Sequence, residues 1–84
     1  MDDSEYEVRL APSALSHWLA MPDREARAEV HAILEELRQR GTAPRTFSLL
    51  NGPEHRTYGG RVKVLLRLDA QQRLISVTDI VMRD

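Results

Sequence analysis

Arg61-Val62-Lys63-Val64-Leu65-Leu66-Arg67-Leu68-Asp69, and after it Arg73-Leu74-Ile75-Ser76-Val77-Thr78-Asp79-Ile80-Val81-Met82, decide the fold. The first segment alternates with period two. Val62, Val64, Leu66 and Leu68 share one face, and Arg61, Lys63, Leu65 and Arg67 share the other. Asp69-Ala70-Gln71-Gln72 turns the chain into a β-branched run that reads as a long strand. Strict alternation along that run groups Leu74, Ser76, Thr78, Ile80 and Met82 on one face. Ile75, Val77, Asp79, Val81 and Arg83 then form the other. Two largely apolar faces mark a central strand. Asp79 is the exception, and Arg83 or a neighbouring strand offers it a partner.

Upstream, His55-Arg56-Thr57-Tyr58 is a short strand, and Gly59-Gly60 is a two-residue hairpin turn of the kind that needs positive φ. Asn51-Gly52-Pro53 is another turn. Thr46 to Leu50 is apolar and short, extended without full pairing, and Thr42 to Arg45 is a loop. Before these strands comes the clearest helix, about Asp23 to Arg40. Its Ala26, Val30, Ile33, Leu34 and Leu37 fall on one buried stripe. Asp23 and Glu25 open it, Arg38 and Arg40 close it, and both ends complement the helix dipole. Gly41 supplies the left-handed cap.

An earlier helix begins at Ala11-Pro12-Ser13 and ends at Met21-Pro22-Asp23, with Ala14, Leu15, Trp18 and Leu19 as its apolar stripe. Trp18 is expected as a core anchor. His17 and His31 fall at solvent-side helix positions. Tyr6-Glu7-Val8-Arg9-Leu10 alternates as a half-buried strand, and the acidic residues 1–5 read as a frayed, disordered terminus. The fold class is therefore α+β: an N-terminal strand, a two-helix hairpin and a three- to four-stranded antiparallel sheet. Residues 1–84 make one domain, its helices covering the face that carries Val62, Val64, Leu66 and Leu68.

Eighty-four residues bury only roughly 60% of the surface that the unfolded chain exposes, so the core needs most of the apolar residues available. Without cysteine, neither a disulfide nor a thiolate metal site supplements it. The acidic start differs from a secretory leader, and no apolar run approaches the ~20 residues of a membrane span. A cytoplasmic protein is expected, with no membrane association. The net charge of -1 hides an asymmetry. Residues 1–44 hold five Arg against nine Asp and Glu (-4), and residues 45–84 hold seven Arg and Lys against four acids (+3). The sheet half is the basic one, and a basic layer of this size is either ordinary surface charge or a surface for phosphate.

Several stretches, in this element order, resemble the RelE/ParE superfamily of bacterial toxins from toxin–antitoxin operons. Tyr6 to Ala14 looks like the first strand running into the first helix. Leu50-Asn51-Gly52 resembles the Leu-x-Gly before the central hairpin. Val62 to Asp69 and Ile75 to Arg83 resemble the third and last strands. The resemblance implies one of two activities without metal or cofactor. A RelE-like member is a ribosome-dependent endoribonuclease acting on mRNA. A ParE-like member inhibits DNA gyrase and does not cut RNA. Either would have an antitoxin protein as partner.

Carried over residue by residue, the resemblance puts Lys63 and Arg83 in the catalytic set, with His55 or Tyr58 in proton transfer. Arg56, Arg61 and Arg67 would hold substrate. Lys63, Arg61 and Arg67 also belong together on the charged face of their strand. The sequence departs from RelE-like toxins at Met82, where many have Lys or His, and at Val62 and Leu66, where the pattern has aromatics. It ends at Asp84, ahead of the segment that bears a tyrosine in such toxins, which leaves Tyr58 as the expected hydroxyl.

Overall fold

A computed structural model describes residues 5–83. Its elements are β1 (Glu7–Leu10), α1 (Pro12–Ala20), α2 (Arg24–Arg40), β2 (Thr46–Ser48), β3 (Glu54–Tyr58), β4 (Val62–Asp69) and β5 (Leu74–Met82). All five strands form one sheet in the order β1-β5-β4-β3-β2. β2 to β5 make the expected antiparallel meander. β1 joins the same sheet as a fifth strand, parallel to β5, with Glu7 opposite Leu74 and Leu10 opposite Val77. The sheet is therefore mixed rather than wholly antiparallel. A parallel neighbour needs a long intervening chain, and the helices and the meander supply it. Thr46–Ser48 pairs along its whole length with β3. Residues 1–4 of the expected frayed terminus lie outside the described residues, whereas Glu5 meets Arg38 at 3.3 Å.

α2 follows its sequence signals closely. The Asp23 carboxylate accepts the Glu25 amide at 2.9 Å, an N-cap that satisfies one of the free amide groups of the first turn. Ala26, Val30, Ile33 and Leu37 are buried, and they meet Val62, Val64, Leu66, Ile75, Val77 and Ile80 in a single core. Near the end of the helix, Arg38 donates to Glu35 at 2.9 Å. That bond, with the charge of the guanidinium, holds the Glu35 carboxyl below its ordinary value. α1 differs from expectation. Ala14 is buried and Trp18 partly buried against the core, but Leu15 and Leu19 are exposed. Trp18 Nε1 donates to the Arg27 carbonyl at 3.2 Å and so ties α1 to α2.

Gly41 closes α2 at φ +75°. A Cβ there would lie 2.5 Å from Tyr6 Cε1, so the position forbids a side chain on two counts. Gly41→Ala is expected to lower unfolding free energy by about 1–2 kcal/mol from the backbone alone. Displacement of the Tyr6 ring adds to that, and urea denaturation measures the sum. At the β3–β4 turn neither Gly59 nor Gly60 takes the positive φ expected of it. Glycine is fitted there by proximity instead, because a Cβ on Gly59 would stand 2.4 Å from the Glu29 carboxylate.

The most consequential departure lies within β5. Leu65 pairs with Asp79 and Leu66 with Val77, which leaves Thr78 as an extra residue, a β-bulge. Period-two alternation breaks there. Ile75 and Val77 are buried before the bulge, and Ile80 is buried after it. Unbulged pairing would turn Asp79, Val81 and Arg83 toward the helices and Ile80 away from them. Burying a carboxylate and a guanidinium costs far more than one irregular step in the ladder. α1 runs beside this irregularity: Ser13 Oγ donates to the Thr78 carbonyl at 3.3 Å, and His17 Nδ1 lies 2.7 Å from Asp79 Oδ1.

Because Thr78 is the surplus residue, deleting it makes the register regular while every flanking pair keeps its face. The shortened chain is expected to fold with a loss of no more than about 1–3 kcal/mol. That covers its bonds from Ser13 and to the Leu65 carbonyl. Urea unfolding and NMR contacts between Val77 and Leu66, and between Ile80 and Val64, test this.

Candidate functional site

Directly opposed residues in paired strands project to the same side of a sheet, so the register assigns each side chain to a face. Val62, Val64 and Leu66 lie against the helices. The opposite, open face carries Lys63, Leu65 and Arg67 from β4. To these the pairing adds Tyr58, Arg56 and Glu54 from β3, and Phe47 from β2 beyond Arg56. From β5 it adds Val81, Asp79 and Ser76. Beyond β5, Arg83 comes to the same face, since its guanidinium carbon stands 5.4 Å from the centre of the Tyr58 ring. The bulge at Thr78 makes that placement possible.

Four of the expected site residues therefore gather. Tyr58 is the middle of the group. Lys63 is its cross-strand partner, and Arg56 lies two residues along its own strand. Arg83 is fixed by backbone hydrogen bonds at both ends of the side chain. Its amide donates to the Arg61 carbonyl at 2.8 Å and its Nη1 to the Gly59 carbonyl at 2.6 Å. Among the described residues, Arg56, Lys63 and Arg83 form no ion pair with a carboxylate. Arg56 Nε is buried and has no hydrogen-bond partner among the described residues. Such orphan donors are rare in folded proteins, and a solvent molecule or a bound acceptor would satisfy this one.

Three expected residues stand differently. Arg67 shares the open face but forms an ion pair with Glu54, its cross-strand neighbour. Arg61 precedes β4, and its guanidinium turns to the start of α2, reaching Asp23 at 3.3 Å and Glu25 at 2.7 Å. The expected trio of Arg61, Lys63 and Arg67 on one face is thus reduced to a pair. His55 pairs with Leu66 and so lies on the helix side of β3, opposite to Arg56 and Tyr58. Its Nδ1 is 2.8 Å from the Pro53 carbonyl. No imidazole among the described residues joins the group around Tyr58. Asp79 meets His17 of α1 rather than Arg83.

Two residues that carried no functional expectation belong in this description. Phe47 is 57% exposed on the open face, with its ring 6.0 Å from Tyr58 in an edge-to-face arrangement. His17, which by sequence faces solvent, contacts the bulge. Among the described residues, no three His, Asp or Glu side chains converge as a metal site would require, and no helix is long and apolar enough to cross a membrane.

No protein-family model matches the chain, and no curated protein matches it in sequence. Its fold, however, matches solved structures over nearly the whole length. The toxin–antitoxin complex RelBE2 from Mycobacterium tuberculosis aligns with a TM-score of 0.75 at 17% identity, covering 98% of this chain and 95% of that one. An archaeal RelE–RelB complex from Pyrococcus horikoshii aligns at 0.76 and 13% identity, over 94% and 96% of the two chains. The isolated RelE toxin of E. coli aligns at 0.77 and 10% identity, over 94% and 85%. The resemblance read from the sequence holds at the level of architecture: this chain has the RelE fold.

Proposed function

We propose that the protein is the toxin of a toxin–antitoxin pair whose open sheet face binds RNA and cuts it in the manner of the RelE-like ribosome-dependent endoribonucleases. One observation carries this reading: Lys63, Arg56 and Arg83 surround Tyr58 without a carboxylate partner among the described residues, on a fold shared with RelE chains. Lys63 and Arg83 would hold the scissile phosphate and stabilise the charge that develops on it. Guanidinium groups suit this task because their paired donors match two phosphate oxygens. Arg56 would donate to the neighbouring backbone, Arg67 would contribute at the rim once released from Glu54, and Tyr58 would supply the hydroxyl for proton transfer. The partner would be an antitoxin protein, the targets the ribosome and mRNA, and the compartment the cytoplasm.

The position of His55 favours a second reading. With its imidazole on the helix side, the face holds no histidine beside Tyr58 among the described residues, and a missing general acid costs typically ~10²–10⁴ in rate. On this reading the same face binds without cutting, as in a ParE-like gyrase inhibitor or a weakened interaction module. Induced expression, followed by mapping of mRNA 5′ ends, separates the two. Growth arrest with new cuts at ribosome-occupied sites supports the nuclease, arrest without cuts supports the binding protein, and unimpaired growth overturns the toxin assignment.

A further inference from the structure

Phe47 contributes little to the packing of the fold: it sits on an edge strand with more than half of its surface in solvent. Its location is specific nonetheless. It is the cross-strand neighbour of Arg56, whose Nε lacks a partner among the described residues, and it leans on Tyr58, over which the Arg83 guanidinium lies. Phe47, Tyr58 and Arg83 therefore form a row of three planar groups across the basic face, from the free edge of the sheet inward. The two rings meet at 63°, so their contact occupies an edge of one and a face of the other. Phe47 lies on an outermost strand among the described residues and is more than half exposed, which leaves ring surface accessible from solvent.

We infer that Phe47 is a stacking platform for one unpaired nucleobase of the single-stranded RNA whose backbone lies along Arg56, Lys63 and Arg83; the inference rests on the RNA-binding reading above. The physical argument is the pairing of the two features. Cations alone hold phosphate without regard to strandedness. An exposed aromatic beside them adds affinity only for a base free to leave its own stack, which a duplex does not offer. The site thereby selects single strands, and it does so irrespective of base identity, because each base has a π-face.

The test is equilibrium binding, by fluorescence anisotropy, of a short unstructured RNA methylated at its 2′-hydroxyls so that it cannot be cut. The same strand annealed to its complement is the second probe. Phe47→Leu is expected to weaken single-strand binding by about 5- to 50-fold, the range that stacking on one aromatic supplies. It should leave duplex binding within about twofold, a set by phosphate contacts alone, and Phe47→Trp should restore the loss. Unchanged single-strand binding in Phe47→Leu overturns the inference and leaves the ring to a protein contact, while Lys63→Ala still weakens the wild-type level. Equal losses on both probes also overturn it, since the ring would then merely shape the face. A wild-type protein that binds neither probe overturns the inference, and the mapping of mRNA 5′ ends described above tells this outcome apart from failure of the RNA reading.

Discussion

On the nuclease reading, replacing Lys63 and Arg83 together by alanine is expected to reduce mRNA cleavage by about 10²–10⁴-fold. A charge-assisted hydrogen bond to an oxyanion contributes about 1.5–3 kcal/mol, roughly 10- to 100-fold for each residue. The two flank the same ring from different strands. If the two contacts act independently, their single losses multiply to this range, and coupling through the shared phosphate would show as a departure from that product. Its unfolding in urea should be nearly unchanged. Lys63 forms no ion pair among the described residues, and the bonds of Arg83 to Gly59 and Arg61 lie at the end of the sheet. Undiminished cutting by the folded double variant would remove phosphate binding from this face. Single-turnover cleavage on programmed ribosomes, with thermal unfolding of each variant alongside, decides the matter.

Leu37→Ala should have the largest effect on stability. Leu37 is fully buried where α2 meets the core, and leucine-to-alanine changes at such sites cost about 2–5 kcal/mol. A chain of this length is stable by about 4–13 kcal/mol in all, so the variant loses a large share. Its midpoint of thermal unfolding should drop by roughly 10–30 °C. Leu50→Ala is the matched control: Leu50 is 100% exposed, and its removal should register within about 0.5 kcal/mol. A small shift in Leu37→Ala would mean that α2 is held by something other than this core.

The parts legible in the sequence were those set by local rules. α2 announced both its ends, since Asp23 caps it and Gly41 stops it. β4 alternates without interruption, so its two faces came out as expected. Most of the differences arise where neighbouring elements, rather than local pattern, decide the placement. Alternation in β5 holds only up to Thr78, because the partner strand determines where a bulge falls and composition does not. α1 is nine residues long beside β5 and buries only part of the stripe its sequence offers. Arg61 has the parity of Lys63 and Arg67, but it precedes the strand, where acids of α2 lie close enough to capture it. His55 lies across the sheet from Arg56 and Tyr58 by strand parity alone. Adjacent residues in a strand point to opposite faces, so His55 could not have joined Arg56 and Tyr58. Phe47 left a weak trace, as a lone aromatic in a segment expected to pair poorly.

The sheet also handles the hazard of being a small, strand-rich protein. Unpaired strand edges template association between chains, and natural proteins keep them short or covered. Here the two outermost strands are the shortest, four residues in β1 and three in β2. Where β1 stops, the exposed flank of β5 runs beside α1, and Ser13 occupies one of its carbonyls. The free edges are thus limited to the short outer flanks of β1 and β2. This protein should therefore stay dispersed at concentrations where a longer free edge would begin to form fibrils.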